Sequence, residues 1–388
     1  VANKANKAQI ISRDYGYDSA GNLALIKDMK KGEINFKYDA LDRLTHAKGI
    51  INETFSHDPA SNIVAQSGQN TTVGKGNRLH MQGDRKFEYD ERGNLIEEKR
   101  GKEGKLVTKF HFNSQNQLVK VEKNGQEVEY KYDALGRRIA KTDKFGESTF
   151  LWNEDVLLQE NRKSIQKTYI YEPHSFKPLA FLQDEKVYYY HLDHLGTPQE
   201  ITSSEGEVVW SARYKAYGNL AQKDVERVEN NLRFQGQYYD EETGLHYNRH
   251  RYYDPAHGRF INQDPIGLVG GDNNYQYAPN PVSWVDPFGL SCKEDPNNIE
   301  LSHPANLGTK FSNPKHGTVG DLAEKLKNDP SYADKVPPIE VVKIKGKLYS
   351  ANNRRLRAFQ EAGVKVRVVP ASKQQVRKIK QRLKNKGK

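Results

Sequence analysis

Two aspartates stand in near-identical settings, Asp264-Pro265-Ile266-Gly267-Leu268 and Asp286-Pro287-Phe288-Gly289-Leu290, 22 residues apart. Two carboxyl groups held close cannot both ionise comfortably, so one keeps its proton as an acid while the other, as a base, activates a water. Paired carboxylates of this kind are what acid proteolysis needs. Proline after each aspartate fixes φ and removes a donor, and the glycine two residues on permits a sharp turn. Such a segment can present its carboxylate together with its own downstream peptide bond. The same residues are also good turn formers, with aspartate capping local amides, and spacing alone leaves both readings open.

The elements that must position this pair lie upstream. An aromatic, then Asp or Asn, then three residues on a turn former, a polar residue and usually an aliphatic recur six times. The copies are Tyr17-Asp18 with Gly21-Asn22-Leu23, Tyr38-Asp39 with Asp42-Arg43-Leu44, His57-Asp58 with Ser61-Asn62-Ile63, Tyr89-Asp90 with Gly93-Asn94-Leu95, Phe112-Asn113 with Asn116-Gln117-Leu118, and Tyr132-Asp133 with Gly136-Arg137-Arg138. Each unit ends a strand on an aromatic, turns on residues that tolerate positive φ, and resumes with alternating apolar and polar residues. The pattern predicts a train of β-hairpins that stack into a continuous sheet, because one hairpin cannot bury a face alone. The Tyr and Asp residues of the repeat are then structural. The sheet could serve as an adhesive, sugar-binding surface or as a wall around a passenger.

Composition agrees with a mostly β protein: 22 Tyr and 14 Phe among 388 residues supply large amphipathic surfaces suited to strands. The single cysteine, Cys292, excludes an intramolecular disulfide framework and a cysteine-based zinc site. No apolar run reaches the eighteen or so residues of a membrane span. The start, Val1-Ala2-Asn3-Lys4, has neither an initiator Met nor a signal-peptide core, so the chain reads as a piece of something longer. Charge divides it sharply. Residues 291–388 hold 22 Lys+Arg against 9 Asp+Glu, a net of +13, while the whole chain carries +11. All of the basic excess lies in the tail, the electrostatic footprint of a polyanion binder, although a solvated surface or a need to meet an acidic inhibitor would also produce it.

Tyr190-His191-Leu192-Asp193-His194-Leu195-Gly196-Thr197-Pro198, together with Arg251-Tyr252-Tyr253-Asp254-Pro255 through Leu290, resembles the core of Rhs (YD-repeat) proteins. The resemblance covers roughly residues 1 to 290. It implies a repeat shell over residues 1–233, a core over 234–290 that plugs one end and carries a protease, and a variable toxin over 291–388. It further implies a cut between Leu290 and Ser291, with Asp264 and Asp286 as the pair. Arg259 is a candidate for steering their protonation. A shell of this kind is much larger than 290 residues, which implies repeats upstream and an export route without a cleavable signal.

In the tail, Thr318 followed by Asp321 predicts a capped helix stopping near Asp329-Pro330. Residues 339–344 and 348–350 read as a hairpin, 353–361 as a helix stopped by Gly363, 364–369 as a strand and 372–385 as a basic helix. A compact α/β module follows. Ile339-Glu340-Val341-Val342, Gly346-Lys347-Leu348-Tyr349 and Asn352-Asn353-Arg354-Arg355-Leu356-Arg357-Ala358 resemble the ParB/sulfiredoxin-like fold, in which a helix N-terminus with an arginine motif meets a phosphate and some members are nucleases. Asn352 and Ala351 replace that family's usual glycine and acidic residue, and the sulfiredoxin cysteine is absent.

A helix N-terminus carrying guanidinium forks is a phosphate clamp in its own right, so Asn353, Arg354, Arg355 and Arg357 are candidate phosphate or nucleic-acid ligands. Their plain alternative is an exposed helical face. Glu340 is the candidate general base, with His303, His316, Asp321 and Tyr349 behind it. No pair among them has metal-site spacing, and a nuclease could still require a divalent cation. The expectation is therefore a secreted effector, delivered into a target cell, whose released tail is a nuclease. An ADP-ribosyltransferase using NAD, a nonenzymatic nucleic-acid binder and an adhesin are the alternatives. Nucleic acid, an acidic cognate immunity protein and a secretion-system spike or carrier are the expected partners.

Overall fold

One turn, repeated, builds the large sheet. The strand Gln126–Tyr132 ends at the aromatic, and the Asp133 carboxylate accepts the amides of Leu135 and Arg137, both at 2.9 Å. Gly136 follows with φ +74°, and the next strand, Arg138–Asp143, starts with Arg138 opposite Tyr132. The aspartate oxygen thus satisfies amides that a tight turn would leave open. The same bond joins Asn22 to Asp18, Asn94 to Asp90 and Thr197 to Asp193 at 2.8 to 2.9 Å. Where glycine is missing, Asp42, Ser61 and Asn116 take the positive φ, at 60°, 63° and 58°. At Tyr38, His57, Phe112, Tyr132 and Leu192 the pairing register shifts by a bulge, which adds twist at each joint. The aromatics and aspartates of the repeat therefore do structural work.

The computed structural model describes residues 11–19, 21–162, 164–173, 175–270, 272–278, 280–290, 293–294, 297, 299–302, 318–329, 332–333, 336, 339–344, 347–364, 366–370 and 373–384. Among the described residues, 22 strands from Arg13–Tyr17 to Leu220–Glu226 form one sheet. Each pairs antiparallel with its neighbour in sequence, as the pairs at either side of Gln126–Tyr132 and of Lys186–Leu192 illustrate. The protein is mostly β. No described helix is long and apolar enough to cross a membrane.

A second sheet of four short antiparallel strands, Tyr238–Tyr239, His246–Asn248, Arg251–Asp254 and Arg259–Phe260, follows. Its Tyr247 and Tyr252 share one buried cluster with Phe87, Leu118, Val121 and Tyr130 of the large sheet. Beside them Arg138 and Asp240, 1% and 0% exposed, form a bidentate ion pair with Nη1–Oδ2 at 2.5 Å and Nη2–Oδ1 at 3.0 Å. The Arg138 guanidinium also lies 4.6 Å from the Tyr247 ring centre. The small sheet is thus fastened to the large one by aromatic burial and by a charge pair that burial forces to be complete.

The chain divides into two compact units, Val1–Tyr15 with Leu25–Gly267 and Asn273–Leu290, and Gly16–Ala24 with Leu268–Asp272 and Ser291–Lys388. Within the second, five strands run in the order Lys293–Glu294, Val366–Pro370, Ile339–Ile344, Lys347–Ser350 and Ile299–Leu301. Ile339–Ile344 and Lys347–Ser350 form an antiparallel hairpin, and each has a parallel neighbour on its other side. Three helices accompany them: α1 (Val319–Asn328), α2 (Asn353–Ala362) and α3 (Lys373–Lys384). α1 opens on a reciprocal cap, Asp321 N–H donating to Thr318 Oγ1 at 3.1 Å and Thr318 N–H to Asp321 Oδ2 at 2.7 Å. α2 stops at Gly363, φ +69°.

Candidate functional site

Asp264 and Asp286 meet on one guanidinium. Arg251 opens the strand Arg251–Asp254, and its Nη2 lies 3.1 Å from Asp264 Oδ2 and 3.2 Å from Asp286 Oδ2. The three side chains are 1%, 5% and 0% exposed. The rest of the guanidinium is also committed: Nε donates to the Gly289 carbonyl, Nη1 to the Asn274 carbonyl at 3.0 Å, and its plane rests 3.6 Å from the centre of the Phe260 ring.

Both aspartates also make turns, as their proline-glycine settings require. Asp264 Oδ1 accepts the Ile266 amide at 3.0 Å, and the Gly267 amide reaches the Asp264 carbonyl at 2.9 Å. Asp286 Oδ1 accepts the Leu290 amide at 3.1 Å. The turn role and the convergence of carboxylates coexist because each aspartate spends one oxygen on its turn and turns the other to Arg251.

The segment ending in Leu290 is held residue by residue. Asn248 Nδ2 donates to the Asp286 carbonyl at 2.9 Å, the His250 amide to the Phe288 carbonyl at 3.2 Å, and the Tyr277 hydroxyl accepts the Asp286 amide at 3.3 Å. Gly289 has φ +65°, and a Cβ there would stand 2.4 Å from the Asn248 carbonyl oxygen, so glycine is required on both counts. Leu290 is buried, and Ser291, Cys292, His303 and His316 lie outside the described residues.

Arg259 does not join this group. Its Nη2 donates to the Asn77 carbonyl and its guanidinium stacks 4.8 Å from the Tyr275 ring. The cation on the pair is Arg251, eight positions earlier. It was visible in the sequence only as the first residue of Arg251-Tyr252-Tyr253-Asp254-Pro255, with nothing local to mark its partners.

In the second unit the sequence candidates separate. Glu340 and Arg355 interact electrostatically: burial pushes the Arg355 guanidinium below its ordinary value and the Glu340 carboxylate opposes that shift. The strand carrying Glu340 is tied to the start of α2, since Glu340 N–H donates to Asn352 Oδ1 at 2.7 Å and Ala351 N–H to the Glu340 carbonyl at 2.8 Å. Asn352 caps no α2 amide with its side chain. Arg354 is half-buried on the same first turn. Asn353 is buried and engages Ser302, whose amide it accepts at 3.1 Å. Arg357 is exposed and pairs with Glu361 at 2.9 Å. Asp321 is spent on the α1 cap, and Tyr349 packs with Ile379 and Leu383. Among the described residues no three His, Cys, Asp or Glu side chains gather as a metal-binding group.

A long sheet of aromatic-aspartate hairpins, fastened to a small core sheet that carries a buried Asp-Arg-Asp cluster, defines a YD-repeat shell protein. The profile of the teneurin YD-shell family matches residues 3–279, and the chain belongs to that family, among the Rhs/YD-repeat polymorphic toxins. It is 39% identical over 333 residues to double-stranded DNA deaminase toxin A of Burkholderia cenocepacia, covering 75% of this chain and 23% of that protein. It is 32% identical over 302 residues to the probable deoxyribonuclease RhsA of Dickeya dadantii, covering 72% and 21%. The toxin protein Tse5 of Pseudomonas aeruginosa is 28% identical over 355 residues, covering 72% and 27%. The chain thus spans about a quarter of the length of these relatives. Among solved structures it is similar to the Photorhabdus luminescens Tc holotoxin pore, at a TM-score of 0.46 and 18% identity, covering 73% of this chain and 18% of that one.

Proposed function

We propose that this chain belongs to a secreted Rhs effector that cuts itself between Leu290 and Ser291 and so frees the segment beginning at Ser291, which includes residues 291–388, as a nuclease acting on DNA or RNA in a recipient cell. The observation that carries the first half is the single Arg251 nitrogen in reach of both Asp264 and Asp286. With all three groups ionised the buried cluster bears one net negative charge, and one shared proton neutralises it. That state holds an acid and a base side by side.

In this reading the ionised carboxylate takes a proton from water as its oxygen adds to the Leu290 carbonyl carbon, while the protonated one gives its proton to the carbonyl oxygen. The resulting diol collapses as the Ser291 nitrogen gains a proton and the C–N bond breaks, leaving a carboxylate on Leu290 and an amine on Ser291. The bonds from Asn248, His250 and Arg251 to carbonyls 286, 288 and 289, in that order, would hold a scissile carbonyl next in line.

For the released tail, support comes from its net charge of +13, from Arg354 and Arg355 on the first turn of α2 with Glu340 in electrostatic reach of Arg355, and from relatives named as deoxyribonucleases and as a tRNA nuclease. A cognate immunity protein, acidic where it covers the arginines, and a secretion spike or carrier are the implied partners. Intact-mass analysis of freshly synthesised chain beside Asp286→Asn tests the cut. A fragment beginning at Ser291 from wild type alone is expected, and two full-length masses would return both aspartates to turn residues. Incubating the released tail with plasmid, RNA and NAD then separates strand scission, the expected result, from transfer of ADP-ribose.

A further inference from the structure

We propose that His194 is a positioning residue for the self-cleavage, bracing the segment that carries Asp286; this rests on the reading of Asp264 and Asp286 as a cleaving pair. His194 Nε2 lies 2.9 Å from the Val282 carbonyl oxygen. A carbonyl only accepts, so Nε2 carries the proton, and Nδ1 is buried with no hydrogen-bond partner among the described residues. Buried polar atoms are ordinarily satisfied. This ring instead leaves one nitrogen bare and commits the other to backbone four residues ahead of Asp286.

The turn that holds His194 is stiff. Asp193 Oδ1 accepts the amides of Leu195 and Thr197, both at 2.9 Å. A second path leads from the same turn to the other side of Asp286. Gln235 Nε2 donates to the Leu195 carbonyl at 2.6 Å, and the next residue, Gly236, lies so close that a Cβ on it would stand 2.0 Å from the Pro287 carbonyl oxygen. The turn therefore touches the cleavage segment before Asp286 through His194 and after it through Gln235-Gly236. On its far side the segment is tied by Asn280 Nδ2 to the Asp42 carbonyl at 3.2 Å.

Residues 280–287 are thus strung between an early and a late turn of the large sheet, with Asp286 near one anchor. A carboxylate pair tolerates little displacement, since a misplacement of about 1 Å costs on the order of 100-fold in rate. Releasing the Val282 carbonyl frees the segment without substituting any residue of the Asp-Arg-Asp cluster.

The test follows the fraction cut after Leu290 against time, by intact mass, in full chain made by cell-free translation. His194→Phe keeps the ring beside Tyr15, whose centroid is 4.9 Å away, and removes the donor. His194→Gln restores an N–H. The Phe variant is expected to cut about 10- to 100-fold more slowly, and the Gln variant to recover most of the wild-type rate. Thermal midpoints of both, measured in an uncut Asp264→Asn background, are expected within about 4 °C of that background. If the Phe variant does not fold, His194→Ala is read in its place. A wild-type rate in the donor-free variant overturns the proposal, as does equal slowing of Phe and Gln variants at unchanged stability. A wild-type chain that is never cut defeats instead the cleavage reading beneath it.

Discussion

The Asp286 carboxylate accepts the Leu290 amide at 3.1 Å across four residues, so the residue that ends the junction is fixed to the residue that would cut beyond it. A free strand would have to find the carboxylate in each encounter. In the proposed cleavage that search is already done, and the reaction would need only a water and a proton in the right place. Arg251 supplies the remaining constraint by holding the Gly289 carbonyl and both aspartates at once.

Removing that constraint has two separable effects. Arg251→Met takes the guanidinium away from two buried carboxylates, and losing one partner of such a group costs about 3–5 kcal/mol. Arg251→Lys keeps the charge, but one ammonium cannot replace donors at Nε, Nη1 and Nη2. The Met variant is expected to show a lowered denaturation midpoint, and the Lys variant to fold and yet cut at least about 10-fold more slowly. Both are read by intact mass together with chemical denaturation. Wild-type cleavage by the Met variant would remove the guanidinium from the mechanism.

Much of this was legible in the sequence and the decisive contact was not. The hairpin train could be read because each turn is a local affair in which an aspartate caps amides two and four residues on, as at Asp133. The α1 cap at Thr318 and Asp321 is local in the same way. Arg251 belongs to another class: its partners Asp264, Asn274, Asp286 and Gly289 lie 13 to 38 residues away and converge only when the small sheet forms. Arg259, nearer to Asp264 in sequence, is carried instead to Asn77 and Tyr275. In the tail, charge count alone could not tell Arg355, which is partly buried and interacts electrostatically with Glu340, from Arg357, which pairs with Glu361 on an exposed surface.

Two glycines offer a probe that changes no charge. Gly236 has φ +79° and a Cβ there would stand 2.0 Å from the Pro287 carbonyl oxygen; Gly244 has φ +81° and nothing within 4 Å. Alanine at either position bears the backbone cost of positive φ, of order 1 kcal/mol. Only Gly236→Ala must also push back the segment beside Asp286. Cleavage is expected to fall by about 100-fold in Gly236→Ala and to change little in Gly244→Ala, compared in the same cell-free time course. Equal rates would mean that the junction yields without consequence.

The large sheet should lose stability in mild acid, in part through His57. Burial first, and the nearby Arg43 guanidinium second, push its imidazole from 6.5 down to about 4, with Asp39 and Asp58 opposing. An unfolded chain takes up that proton below about pH 6.5, whereas the folded one refuses it until about pH 4. The contribution is therefore complete above pH 6.5 and is lost progressively on descending to pH 4. His57→Gln in an uncut background should flatten the thermal midpoint over that window and leave the profile above it parallel to wild type. Parallel profiles throughout would show that His57 titrates alike in both states.

The sharpest test of the tail compares two arginines two residues apart, on different faces of α2. Arg355 is partly buried and feels the Glu340 charge, while Arg357 is exposed and paired with Glu361. A guanidinium that stabilises charge on a phosphate is worth about 2.7 kcal/mol when its removal costs 100-fold. One that only adds to the surface field weakens binding uniformly and lowers the salt slope by about one. With the released tail on plasmid and RNA, Arg355→Ala is expected to lose about 100-fold in scission at every salt concentration. Arg357→Ala is expected to stay within about threefold of wild type, its deficit shrinking as salt rises. If the two substitutions behave alike, the first turn of α2 is a charged surface, and the chemistry belongs to residues elsewhere in the tail.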